Sequence, residues 1–136
     1  MSRVFPLFAF ASLILGCSGA PSVALRPIPS PSRTYHVTPS INTSTKDKSR
    51  YLCVAFDVTD NSGATVAHVQ TAASDGMRWA LGWHDDDTIV LSSSDIGTYA
   101  WNLDRNGRLS EAAHPISDEL QMTGKQLVLQ KYEQLK

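Results

Sequence analysis

The chain contains only two cysteines, Cys17 and Cys53, among 136 residues, which excludes a disulfide-stapled scaffold. No glycine-rich phosphate loop and no dinucleotide fingerprint occurs, so there is no sequence sign of a nucleotide cofactor. The histidines lack the paired spacing of a zinc site, and no metal or other cofactor is expected. Long apolar runs are equally scarce. The only one, Val4 to Leu15, is too short to cross roughly 30 Å of hydrocarbon, which needs about 20 residues. Charged residues make up 18% and apolar residues 42%, the balance of a folded soluble domain rather than a disordered chain.

Charge is unevenly spread. Residues 17–50 carry five basic side chains and one acid, whereas residues 51–136 carry twelve acids and six bases, a net of −6. An acidic domain repels phosphates over most of its surface, so nucleic acid is not an expected partner.

Residues 1–16 have the layout of an export signal, with Arg3 ahead of the apolar stretch. Its end, Ile14-Leu15-Gly16-Cys17, resembles the lipobox of bacterial lipoproteins. That resemblance implies cleavage before Cys17, acylation of its sulfur, and anchoring to a membrane through the acyl chains. Leu15 departs from the small residue commoner at its place. Ser18, rather than Asp, follows the cysteine, which within that class points to the outer membrane, facing the periplasm. The alternative is an ordinary signal peptide cut near Ala20, releasing a secreted or periplasmic protein.

Residues 18–50 hold five of the seven prolines and many Ser and Thr residues. Proline removes backbone donors and short polar side chains compete for the rest, so residues 17–50 are expected to form a lipidated, disordered tether. A single β-rich domain is expected over 51–136, folding without that tether.

Within 51–136 the apolar period is two. Leu52, Val54, Phe56 and Val58 alternate with smaller or polar residues, as do Met77, Trp79, Leu81 and Trp83, and then Tyr99, Trp101 and Leu103. Asp60-Asn61-Ser62-Gly63, His84 to Asp87, Ser94 to Gly97 and Asp104 to Gly107 carry turn chemistry between the runs. The pattern predicts a mainly β fold, an antiparallel meander of about five or six strands with its core on the tryptophan-bearing strands. After Pro115, Ser117 can cap a helix rich in Glu, Gln, Leu and Lys that packs on the sheet. Gly124 opposes a helix interior, and a hairpin through Thr123 to Gln126 would instead complete a small barrel.

Candidate chemistry is sparse. His84 with Asp85, Asp86 and Asp87 is the densest charged cluster, readable as a cation site, though three consecutive acids converge poorly on one ion, as an acidic contact for a basic partner, or as a solvated hairpin tip. Ser92, Ser93, Ser94 and Asp95 invite a nucleophile reading, yet no Gly-x-Ser-x-Gly elbow surrounds them, and turn formation is the better account of them. His68, His84 and His114 are the histidines available as a base. Asp104 to Pro115 opens like a calcium loop but puts Arg108, Leu109 and Pro115 where ligands or glycine belong. Cys53 reads as a small packed residue. Trp79, Trp83, Tyr99 and Trp101 are either core or a stacking platform. No catalytic residues are assigned. Trp83, His84, Asp85, Asp86, Asp87, Asp95, Tyr99 and Trp101 are the candidate binding residues.

These features favour a non-catalytic binding or interaction module tethered in the cell envelope. Alternatives are a structural subunit of an envelope complex, a small hydrolase, or an inhibitor of a basic envelope enzyme. The last is similar in outline to the small lipoproteins that inhibit lysozyme. Ser94, Tyr99 and Trp101 follow the order of their motif, but the spacing differs and the usual cysteine pair is absent.

Overall fold

The computed structural model describes residues 22–135. They form nine strands and one helix: β1 (Ser22–Ala24), β2 (Ile28–Pro29), β3 (Tyr35–Asn42), β4 (Cys53–Asp60), β5 (Thr65–Ser74), β6 (Trp79–Trp83), β7 (Thr88–Ser93), β8 (Gly97–Leu103), β9 (Leu109–Glu111) and α1 (Asp118–Glu133). The first sheet has the order β1-β3-β4-β5 with β2 also on β3, and the second has the order β6-β7-β8-β9. Every pairing is antiparallel. The fold is therefore mainly β with a C-terminal helix, as the alternation predicts, and no sheet closes into a barrel.

Period-two alternation explains why two sheets form a sandwich. Val37, Ile41, Val54, Phe56 and Val58 project from the first sheet, and Trp79, Leu81, Ile89, Leu91, Trp101 and Leu103 from the second, into one buried cluster. Phe56 meets Trp101 edge to face at 5.0 Å between centroids, linking the two sheets at the centre. The intervening residues of β6, β7 and β8 face the other way and are small: Ala80, Gly82, Val90, Ser92, Thr98 and Ala100. On that face lies α1, with Leu120 and Leu127 packed beside Val90 and Ala100.

The helix settles the ambiguity at the C-terminus. Ser117 caps it by accepting the Leu120 N–H at 3.3 Å, and Asp118 and Glu119 sit in the first turn, where the helix dipole favours acids. Gly124, which counts against a helix on propensity, is its buried contact point. A Cβ there would lie 2.9 Å from Ser92 Cβ and 3.2 Å from Thr98 Cγ2.

The expected disordered tether over residues 17–50 needs correction. Residues 22–42 supply three strands, and β3 is an inner strand, paired with β4 from Tyr35↔Asp60 to Ile41↔Val54. Val37 is completely buried. Tyr35, Val37, Pro39 and Ile41 alternate with His36, Thr38, Ser40 and Asn42, a strand period hidden by its polar half. Pro39 fits because its carbonyl accepts the Leu25 N–H at 2.8 Å, so its missing donor also faces the break between β1 and β2 rather than β4. The sandwich thus begins well before residue 51. A smaller correction concerns Met77: β6 starts at Trp79, and Met77 stands exposed.

The outer edge of β6 is covered by the helix at its first residue. The Trp79 N–H donates to the Tyr132 hydroxyl at 3.1 Å, and the Trp79 carbonyl accepts from Lys131 Nζ at 2.8 Å. Lys131 Nζ also sits 3.4 Å from the centroid of a Trp79 ring, and its burial there pushes the amine's pKa down. Occupied in this way at Trp79, the edge is a poorer template there for pairing with another chain.

Candidate functional site

A cleft of about 410 Å³ opens on the side of the sandwich where β5 ends the first sheet and β8 and β9 end the second. Its walls include Arg50, Gln70, Thr71, Tyr99, Trp101 and Glu111. Tyr99 and Trp101 are two residues apart on β8 and so share a face, their rings stacked at 6.3 Å and 26°. His114 also meets Tyr99 in an edge-type contact at 4.7 Å between centroids. Trp101 is fixed from behind by Phe56 and is almost fully buried, so Tyr99 offers the more accessible aromatic surface.

The opposite wall is shaped by an irregularity. Ala55 pairs with Gln70 but Cys53 pairs with Ser74, so β5 carries two more residues than β4 across this step. The stranded Val54 carbonyl is satisfied by side chains: the Thr71 hydroxyl donates to it at 2.6 Å and Gln70 Nε2 at 3.3 Å. Thr71 also accepts the Ala73 N–H at 3.1 Å. Such bulges re-aim side chains at sheet edges, and here Gln70 and Thr71 line the cleft while their side-chain donors are held by backbone carbonyls. Arg50 and Glu111 add one charge of each sign. The cleft can therefore take a ligand with a flat apolar face and hydrogen-bonding groups on its edge. Burial pushes the neighbouring Cys53 thiol up, against the pull of Arg50, which disfavours the thiolate.

The remaining candidate residues lie elsewhere. Trp83 packs against the core and donates its indole N–H to the Ile28 carbonyl at 2.9 Å. His84 is held by α1, with Nδ1 at 2.7 Å from Thr123 Oγ1 and Nε2 at 3.3 Å from Glu119. Asp85 accepts the Asp87 N–H at 2.9 Å, Asp86 accepts the Ser32 N–H at 2.6 Å, and the Asp87 carbonyl accepts the Leu103 N–H. The exposed tip therefore also joins the β2–β3 turn to the second sheet. Asp95 joins the sheets at the far end, accepting from the Ser93 hydroxyl and from the Ser74 N–H at 3.0 Å. Burial raises its pKa, but these hydrogen bonds together outweigh it and leave the carboxyl below its usual range.

Trp83 thus belongs to the packing of the sandwich, and the other seven binding candidates divide into the tip, the Asp95 joint and the Tyr99–Trp101 cleft. Ser92 faces α1 and Ser93 serves Asp95, while His68 bonds Asp57 at 2.6 Å and His114 contacts Tyr99. No serine–histidine pair is assembled from them. Arg50, Gln70, Thr71 and Glu111 carried no sequence signal, because their proximity depends on two sheets facing each other. Cys17 lies outside the described residues, and among those residues no helix is long and apolar enough to cross a membrane.

These features define a two-sheet β-sandwich with a helix on one outer face and a mixed polar and aromatic cleft on one open side. No protein-family model matches the chain, and no curated protein or solved structure does either.

Proposed function

We propose that the protein is a cell-envelope lipoprotein, anchored through Cys17 in the outer membrane, whose sandwich acts as a non-catalytic binding module. The anchor rests on the Ile14 to Cys17 pattern. The binding role rests on one observation above all: the Tyr99–Trp101 wall faces the bulged Gln70–Thr71 segment across an open cleft, with Arg50 and Glu111 in its walls. Side chains that define such a cleft provide orientation and specificity for a ligand, and two opposite charges favour a polar or zwitterionic one.

The test compares the full chain with a variant carrying Arg50→Gln and Glu111→Gln, both used as bait in envelope extract. Retention by the unaltered chain of a ligand that the variant releases supports the cleft. Equal retention by both overturns it. A basic enzyme among the retained proteins would favour the inhibitor reading, assembly components the structural one, and turnover of a substrate panel the hydrolase.

A further inference from the structure

A second cleft, of about 400 Å³, opens where one flank of α1 meets the ends of β6 and β7. Val128 and Leu129 form its helix wall, Ser92 to Ser94 line the sheet side, and Arg78 and Lys125 stand beside them. Lys125, Val128 and Leu129 share a flank because they are three and four residues apart on the helix. Leu129 is 55% exposed, so this wall offers apolar surface that the fold itself leaves uncovered.

The charges here run against the rest of the molecule. Residues 22–135 carry thirteen acids and ten bases, yet two of those bases flank this cleft and no acid lines it. Among the described residues the ion pairs are His68–Asp57 and His84–Glu119, and neither Arg78 nor Lys125 takes part in one. The Arg78 guanidinium lies 4.4 Å from the centre of the Tyr132 ring, a stacking contact that leaves its in-plane donors for another partner.

We propose that this cleft binds a single-chain amphiphile with an anionic head, of the fatty carboxylate class. Val128 and Leu129 take the hydrocarbon by apolar burial, while Arg78 and Lys125 take the carboxylate by charge-assisted hydrogen bonds. A wholly apolar ligand leaves both cations unused, and a phosphorylated sugar sets polar groups against two apolar side chains. The site is separate from the Tyr99–Trp101 cleft and does not depend on that reading.

Calorimetric titration of the full chain with decanoate, kept below its micelle concentration, tests the proposal against decanol, the uncharged analogue of equal length. Decanoate should bind one to one and at least about tenfold more tightly than decanol. Arg78→Gln combined with Lys125→Gln should reduce decanoate to the affinity of decanol. Lys125→Gln alone, at an exposed helix position, should give a smaller loss in the same direction, so the comparison survives if the double variant folds poorly. Absence of decanoate binding, or equal binding of both ligands with no response to Lys125→Gln, overturns the proposal. So does binding to phosphatidylglycerol vesicles that depends on both cations while decanoate binding does not, because the cations then serve a membrane surface.

Discussion

Replacing Gly124 by Ala sets two effects of opposite sign against each other. On helix propensity alone the change stabilises α1 by about 1 kcal/mol. The structure predicts the reverse, because the new methyl would lie 2.9 Å from Ser92 Cβ and 3.2 Å from both γ atoms of Thr98. Ser92 Cβ is fixed to the backbone of an inner strand and cannot rotate away, so α1 must lift from the sheet along the line that also seats Leu120 and Leu127. Overpacking of this kind costs about 1–3 kcal/mol, leaving a net loss on the order of 1 kcal/mol and a Tm lower by roughly 4 °C. Gly82→Ala is a useful contrast. Its methyl would approach Leu127 Cδ2 even more closely, at 2.6 Å, but that atom is the end of a flexible side chain and can move. Gly82→Ala should therefore cost less than Gly124→Ala despite the shorter contact. Urea unfolding of both variants, and of Gly124→Ala combined with Ser92→Gly, measures the effect. The combination should recover most of the loss. A stabilised Gly124→Ala variant, or no coupling to Ser92, would refute the close-approach account.

Ile41→Ala should cost about 2–5 kcal/mol, because the side chain is buried at the register position of Val54; a denaturation midpoint unchanged from wild type would return residues 22–42 to the status of a tether. Asp95 has a folded pKa below its unfolded value of about 3.9. Its contribution is present above the unfolded pKa and lost as pH falls through the folded one, so Asp95→Asn should flatten the acid limb of the stability profile below about pH 4; identical limbs in the two proteins would contradict this. If the module binds a basic protein through its acidic tip, changing Asp85, Asp86 and Asp87 together to Asn should slow association at low salt and much less at high salt. The Ser32 N–H keeps an acceptor in Asn at position 86, so a lowered Tm without a kinetic effect would assign the tip to structure alone.

What could be read from the sequence was whatever depends on neighbours in the chain. The hairpins from Cys53 to Glu111 follow from alternation broken by Asp- and Gly-bearing turns, and the helix follows from Ser117 and the acids behind it. β3 escaped because its outward residues are His, Thr, Ser and Asn and because Pro39 signals a break; only the gap opposite, between β1 and β2, shows why proline is tolerated there. The division into two sheets was hidden as well, since β5 and β6 are consecutive in sequence but lie in different sheets. In the cleft, Tyr99 and Trp101 could be nominated from their spacing. Gln70 and Thr71 could not, because their placement depends on a register shift between β4 and β5 that no local residue pattern announces. The small residues Ala80, Gly82, Ser92 and Ala100 gain their meaning only once α1 is seen lying across them.

The central claim, a binding module held in the envelope by lipid, is tested most directly by metabolic labelling with radioactive palmitate in cells producing the full chain or its Cys17→Ser variant. The account predicts label on the unaltered protein, its recovery with the outer membrane, and an unlabelled, unprocessed precursor for Cys17→Ser. Unlabelled wild-type protein recovered in the soluble fraction would contradict it.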